Sequence, residues 1–242
     1  IQRMEDAQRR IAAGTELLAT DERALRAFRI ANQAMAIAQR KRSKDDKPPT
    51  WRLFQLAFVV MNLPGISDPS HPDRKTVELI FFPTGGGKTE AYLGLIAYTL
   101  VLRRMLGADR PDGGLGVAVI LRYTLRLLTL DQLARAATLI CALEMLRKKG
   151  EAPGDERYAI GLWVGRSATA NTLEQAAKAV TEYKNDTSPR AQSPFPLTHC
   201  PWCGTELNRD GFSMRPNRTH PEEIVVGCVN LDCDFRPQAD RD

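Results

Sequence analysis

A glycine-rich segment at residues 83–89, with the sequence Pro-Thr-Gly-Gly-Gly-Lys-Thr, constrains the fold of this chain more than any other feature. It lies between an apolar run at residues 77–82 and a longer apolar stretch at residues 89–106. The first run has the length of a buried strand, and the second has the length of a buried helix. Glycines let a backbone wrap closely around phosphate groups, and a helix N-terminus adds the positive end of its dipole. The segment is therefore typical of a phosphate-binding loop between a strand and a helix.

The same alternation of strands and helices continues downstream of this loop. Residues 117–121 predict a second buried strand, and a long helix is expected to begin near Thr129 and to end at Gly150. Residues 158–164 predict a third strand. Strands that alternate with helices indicate an α/β fold with a parallel sheet.

The two ends of the chain differ from this central pattern. Residues 1–40 predict helices, one of them capped by Thr20, and Thr50 is expected to cap the helix that follows. Prolines and cysteines replace the alternation near the C-terminus and indicate a small zinc-ribbon-like module. The predicted parts are an N-terminal helical segment over residues 1–47, a nucleotide-binding lobe over 48–187 and a four-cysteine zinc-binding module over 188–242.

The loop supplies candidate ligands for ATP and Mg²⁺. In the pattern G-x-x-x-x-G-K-[ST], the lysine reaches the β- and γ-phosphates and the hydroxyl binds Mg²⁺, so we expect catalytic roles for Lys88 and Thr89. The first glycine of the pattern is replaced by Phe82. The alternative is a glycine-rich turn with a chance Gly-Lys-Thr. The predicted nucleotide ligands in and beside the loop are Thr84, Gly85, Gly86, Gly87, Lys88, Thr89 and Glu90.

The surroundings of the loop resemble superfamily 2 helicases, which vary the position of Phe82 in the same way. These helicases often carry an Arg-x-x-Gln element at about the distance of Arg52 and Gln55 from the loop. The resemblance implies that the parallel sheet belongs to the RecA-like lobe of a P-loop NTPase. It also implies that Gln55 reads adenine. The alternative is that Gln55 is an exposed helix residue.

Two further segments fall where such helicases hold a nucleic acid strand. Guanidinium, hydroxyl and backbone amide groups suit phosphate contacts, although capping and solvation explain the arginines as well. The predicted nucleic-acid contacts are Arg122, Thr124, Arg126, Gly165 and Arg166, with Ser167 beside them.

A more specific resemblance covers residues 50–170 and the cysteine module. Residues 51–58 (WRLFQLAF), 82–94 (FPTGGGKTEAYLG), 122–129 (RYTLRLLT) and 161–165 (GLWVG) together resemble the DrmA family. DrmA proteins are the helicase-like ATPases of DISARM, a bacterial anti-phage system. The resemblance implies an ATP-dependent DNA helicase or translocase, DNA as ligand, DrmB as partner subunit and a role in recognising or processing invading DNA.

One element of a working ATPase is not evident in the sequence. An acidic pair at the end of a strand should bind Mg²⁺ and position the attacking water. The Asp-Glu pairs of this chain are Asp21-Glu22 and Asp155-Glu156, and neither follows an apolar strand. We therefore interpret the chain as a piece of a longer protein that is inactive alone. Two rival interpretations are another P-loop ATPase, such as a kinase or an AAA-type enzyme, and a catalytically silent scaffold that binds DNA or protein.

The cysteines predict a structural zinc site. Cys200 and Cys203 form a C-x₂-C pair followed by glycine, and Cys228 and Cys233 form a second pair. Four thiolates make a closed tetrahedral Zn²⁺ site, and a small module with few apolar residues needs such a staple to fold. Unmetallated thiols are the alternative. The substitute ligands would be His199 and His220, and neither is expected to bind.

Composition excludes some classes of protein and location. Hydrophobic residues make up 43% of the 242 residues, which is too many for a disordered chain. No apolar run reaches the length of a membrane span, and no signal peptide is evident, so we expect a cytoplasmic protein without a membrane partner. The net charge of +5 permits nucleic acid as a partner without demanding it.

Overall fold

The computed structural model describes residues 2–43, 47–81, 83, 85–122, 126–164, 169–188 and 191–237, with the backbone alone for 126–129. The chain divides into two compact units. The first comprises Ile1–Arg122 with Thr138–Ile160, and the second comprises Tyr123–Ala137 with Gly161–Asp242. The three-part division made from the sequence stays a prediction.

Helices build the first unit. They are α1 (Gln2–Thr20), α2 (Glu22–Arg42), α3 (Leu53–Ser67), α4 (Lys88–Gly107) and the C-terminal half of α5 (Arg126–Lys148), with a 3₁₀ turn at Pro72–Lys75. Within this unit α2 packs against α4, α1 against α3, and α3 against α4. Small residues at helical spacing allow this close packing. The fully or almost fully buried residues of α2 are Ala24, Ala27, Ile30, Ala31, Ala34 and Ala38.

Two glycines mark close approaches between elements. A side chain at Gly14 of α1 would overlap the backbone carbonyl of Val60 in α3. A side chain at Gly94 of α4 would lie 2.8 Å from the indole ring of Trp51. The Trp51 indole N–H also donates to Asn32 Oδ1 at 2.6 Å, so the segment before α3 is held against α2 and α4.

Helix existence is predicted better than helix starts. The long helix after the loop is confirmed as α4. Thr20 does not cap α2, because α1 continues through it and Asp21 accepts the N–H groups of Arg23 and Ala24 at 2.8 and 3.0 Å. Thr50 does not cap α3, whose N-cap is Arg52. The helix expected to begin near Thr129 begins earlier, at Arg126.

The predicted RecA-like parallel sheet is wrong for the part of the chain that the structure describes. The sheet found there has two antiparallel strands and belongs to the second unit. Described residues of the three predicted strands have no ladder partner, and several of their apolar side chains are almost fully exposed: Val77, Leu79, Phe81, Ile120 and Trp163. A run of apolar residues expresses a preference for burial, whereas a strand also needs a neighbour that supplies its hydrogen bonds.

A buried arginine fixes the segment that leads into the glycine loop. Arg10 of α1 is 7% exposed. Its Nε donates to Asp73 Oδ2 at 2.8 Å, and its Nη2 lies 2.6 Å from Glu78 Oε1. Two carboxylates compensate the buried guanidinium, which ties α1 to residues 72–78.

The second unit contains the N-terminal half of α5, a further helix and a small β-hairpin with its loops. Helix α6 (Leu173–Asn185) is followed by a 3₁₀ turn at Arg209–Gly211 and by strands β1 (Phe212–Pro216) and β2 (Pro221–Val226). The strands pair with Phe212 opposite Val226 and Met214 opposite Ile224. The Tyr183 ring of α6 meets the Phe212 ring edge-on at 5.6 Å, which attaches the helix to the hairpin.

None of the described helices combines the length and hydropathy required to cross a bilayer.

Candidate phosphate loop and candidate metal centre

The glycine loop lies at the N-terminus of α4, as its sequence predicts. Lys88 is the first residue of this 20-residue helix, and Gly87 is its N-cap with a φ of 88°. Gly85 also has a positive φ, 80°. Both values lie in the left-handed region, which glycine enters without the strain of a Cβ. The N–H groups of the first turn and the helix dipole make this end of α4 suited to an anion.

Both residues of the predicted catalytic pair make hydrogen bonds within the loop and α4. The Lys88 ammonium donates to the Pro83 carbonyl at 3.2 Å, and the Gly86 N–H donates to the same oxygen at 3.0 Å. The Thr89 hydroxyl accepts from the Tyr92 hydroxyl at 3.0 Å. Glu90 lies in the first turn of α4, and Thr84 and Phe82 lie outside the described residues.

Gln55 lies directly behind the loop. It is 4% exposed, so it is not the exposed helix residue of the alternative interpretation. Its Nε2 donates to the Gly87 carbonyl at 2.7 Å, and its Oε1 accepts the Arg52 N–H at 2.8 Å. The Arg52 guanidinium donates to the Gly86 carbonyl at 2.8 Å. Both polar atoms of the Gln55 amide are therefore engaged by backbone groups.

The predicted nucleic-acid contacts are mostly beyond what the structure describes. Arg122 is exposed. Arg126 is the first residue of α5, and its side chain is outside the described part. Thr124, Gly165 and Arg166 lie outside the described residues, as does Ser167. The assignment of these residues to nucleic acid stays a prediction.

Neither Asp-Glu pair of the sequence lies at the end of a strand among the described residues. Asp21 is the N-cap of α2. The Asp155 carbonyl accepts from Arg147, whose guanidinium also makes two hydrogen bonds to Glu144, at 2.8 and 2.7 Å.

The four predicted metal ligands come together in the second unit. The sulfur atoms of Cys200, Cys203, Cys228 and Cys233 all lie within 4.8 Å of one another. Cys200 and Cys233 are separated by 3.9 Å and Cys203 and Cys228 by 3.4 Å, so each contact joins one pair to the other. The group contains neither His199 nor His220.

Local turns aim the thiols inward. The Gly204 N–H donates to the Cys200 carbonyl at 2.9 Å, and the φ of Gly204 is 75°, which permits the tight turn after the first pair. At the second pair, the Cys233 N–H donates to the Asn230 carbonyl at 3.2 Å. Two turns thus help to bring the four sulfurs close enough to bind one ion.

The thiols of the cluster differ in acidity. Burial raises the pKa of the Cys200 thiol and that of the Cys233 thiol. Burial also acts to raise the pKa of Cys203, but hydrogen bonds with Thr205 outweigh it and lower that pKa to about 6. Several thiolates at such short range repel one another unless a cation neutralises them. The donor set therefore fits Zn²⁺, which four thiolates hold in closed, structural sites.

Aromatic packing joins the two halves of the cluster. Trp202, between the first two cysteines, is 5% exposed and donates its indole N–H to Asp234 Oδ2 at 2.7 Å. Its ring meets that of Phe235 at 5.4 Å. The residues next to the ligands thereby fix one pair relative to the other.

No protein-family model matches the chain. A protein from Bacillus paralicheniformis described as DISARM protein DrmA is 38% identical over 255 residues. The chain belongs to the DrmA family. This confirms the resemblance inferred from the motifs. The match includes 93% of the chain and 22% of that DrmA protein, so the chain spans about a fifth of its relative's length.

Three residues contribute to the two sites of this DrmA-family chain without a role that the motifs predict. Arg52 was seen only as part of the element containing Gln55, yet its side chain binds the Gly86 carbonyl. Tyr92 reaches the Thr89 hydroxyl from one helical turn away, a spacing that the sequence does show. The contact of Asp234 with Trp202 spans 32 residues and left no signal in the sequence.

Proposed function

We propose that the chain binds the phosphates of ATP at the N-terminus of α4 and serves in an ATP-dependent DNA helicase or translocase of DISARM anti-phage defence. The observation that carries the proposal is the left-handed glycine loop that opens α4 with Lys88 and Thr89 in its first turn. Membership of the DrmA family supports the defence role.

Different groups of the loop would bind different parts of Mg-ATP. Backbone N–H groups of Gly85, Gly86 and Gly87 would bind phosphate oxygens, and the helix dipole would add to their attraction. Lys88 would exchange the Pro83 carbonyl for the β- and γ-phosphates, and Thr89 would offer its hydroxyl to Mg²⁺. The cysteine cluster would bind Zn²⁺ and stabilise its own module, with no part in hydrolysis.

The test measures ATP hydrolysis by the complete DrmA protein that carries this sequence, with and without DNA. The Lys88→Ala variant should lose about 100-fold in hydrolysis, because it removes the charge that stabilises the transferred phosphate. Lys75→Ala, at an exposed position of the 3₁₀ turn, is the matched control and should keep the wild-type rate.

Equal rates for wild type and Lys88→Ala in the presence of DNA would exclude the motor. That result would favour the alternative of a silent scaffold that binds DNA or protein.

DNA and a DrmB subunit are the partners that follow from the family resemblance. We propose both on that ground alone. Co-purification of tagged DrmB with the complete protein, and DNA retention by the pair, would test them separately.

A further inference from the structure

We infer that Gln55 and Arg52 are positioning residues, which orient the phosphate loop through contacts from the start of α3. This role replaces the adenine contact that the helicase resemblance implies for Gln55. The inference rests on the proposed phosphate-binding function. It concerns how the loop is held ready for its ligand.

Two carbonyls of the loop are held by residues at the start of α3. The Arg52 guanidinium holds the Gly86 carbonyl at 2.8 Å, and the Gln55 amide holds the Gly87 carbonyl at 2.7 Å. Both donors come from the start of α3, so both carbonyls point toward that helix.

The geometry of the peptide bond then determines the direction of the neighbouring N–H groups. In a trans peptide the C=O of one residue and the N–H of the next point in opposite directions. The cis bond found among the described residues is Arg215–Pro216, so the two loop peptides are trans. The N–H groups of Gly87 and Lys88 must therefore point away from α3. These are the groups that a phosphate at the helix N-terminus would meet.

The contact between Gln55 and the loop is held in one orientation. Gln55 is almost fully buried, and its oxygen is held by the Arg52 N–H at 2.8 Å. This second bond fixes which end of the amide faces the loop. A Cβ at Gly87 would lie 2.6 Å from Gln55 Nε2, so the loop and the amide fit only because position 87 is glycine. Turning the amide toward a base would break both hydrogen bonds.

Positioning and base reading predict different ligand dependence. A residue that orients the loop should affect every ligand with a phosphate chain equally, whereas a residue that reads adenine should affect ATP alone. We therefore compare the affinities of Mg-ATP, Mg-GTP and inorganic tripolyphosphate by calorimetry, using the complete DrmA protein that carries this sequence.

Gln55→Met keeps the volume of the side chain and removes both hydrogen bonds. We expect it to weaken all three ligands by the same factor, about tenfold, which corresponds to about 1.4 kcal/mol. Arg52→Ala, at an exposed position, removes the Gly86 contact without opening a core and should weaken all three by about fivefold. Arg74→Ala is the matched control, because Arg74 also donates to a backbone carbonyl, that of Gly65 at 3.0 Å, away from the loop. It should bind all three ligands like the wild type.

Selective loss of ATP with unchanged tripolyphosphate binding would overturn the inference and restore adenine reading. Unchanged binding of all three ligands by Gln55→Met and Arg52→Ala would also overturn it. If the wild type and Lys88→Ala bind tripolyphosphate equally, the phosphate site itself fails. That outcome is distinguishable, because it appears without any change at Gln55.

Discussion

The phosphate loop and the cysteine cluster were both predicted from short motifs, yet they are built in different ways. The cluster is assembled by two turns, and its four donors lie within 4.8 Å of one another. The loop depends on contacts from other helices of the first unit: Gln55 at the start of α3 donates to the Gly87 carbonyl, and Arg10 of α1 pairs with Glu78 in the segment before the loop. A metal site can be complete within one small module, whereas a nucleotide site needs the surrounding helices to orient its backbone.

The largest expected effect is loss of metal from the self-contained site. Cys203→Ser should abolish zinc binding and unfold the module, because the metal supplies much of the folding free energy of such modules, about 10 kcal/mol or more. Elemental analysis of freshly purified protein measures the zinc, and limited proteolysis measures cleavage after residue 188.

Cys141→Ser is the control, since Cys141 lies outside the cluster. It should retain one zinc ion and resist the protease. The zinc assignment fails if the wild-type protein contains no metal. The two sites are independent if helices α1 to α4 stay protected in Cys203→Ser.

A smaller effect is expected from a methyl group added to the loop. Gly87→Ala should destabilise the first unit by about 1–3 kcal/mol, because the φ of residue 87 is 88° and the new Cβ would meet Gln55. It should also weaken nucleotide binding. Gly85→Ala carries similar backbone strain at a φ of 80° but meets nothing within 4 Å. Chemical denaturation of both variants measures the difference. Equal losses would show that the contact with Gln55 contributes nothing.

The smallest expected effect is a pH-dependent loss of stability in the first unit. Burial acts to raise the pKa of Glu144, but hydrogen bonds from Arg147 and from the Tyr158 N–H outweigh it and lower that pKa below its ordinary 4.5. A lowered folded pKa adds stability that is present above the unfolded value and lost as pH falls through the folded value. Glu144→Gln should therefore cost about 1–2 kcal/mol at pH 7 and less at pH 3.

Denaturant unfolding at pH 7, 5 and 3 measures this change. Glu16→Gln, on the exposed face of α1, is the control and should follow the wild type at each pH. A Glu144→Gln penalty that does not shrink toward pH 3 would contradict the assignment.

Prediction from sequence succeeded where neighbouring residues decide the structure. The helix after the loop, the left-handed glycines and the turn at Gly204 follow from local preferences. It failed at the parallel sheet, because the apolar residues 77–81 show a preference for burial without naming the strand that would pair with them. It also misplaced the caps, since Thr20 and Asp21 are both good capping residues and only the packing of α1 selects Asp21.

The sequence by itself determined the chemistry of this chain: a glycine loop followed by Lys88 and Thr89, two cysteine pairs, and membership of the DrmA family. The tertiary structure decided the geometry in which that chemistry is held. It placed Gln55 behind the loop and brought Cys200 next to Cys233. The physical reason is that residue type fixes which groups can bind a phosphate or a metal ion. The direction of a loop carbonyl, and the approach of one cysteine pair to the other, depend on residues that lie tens of positions away.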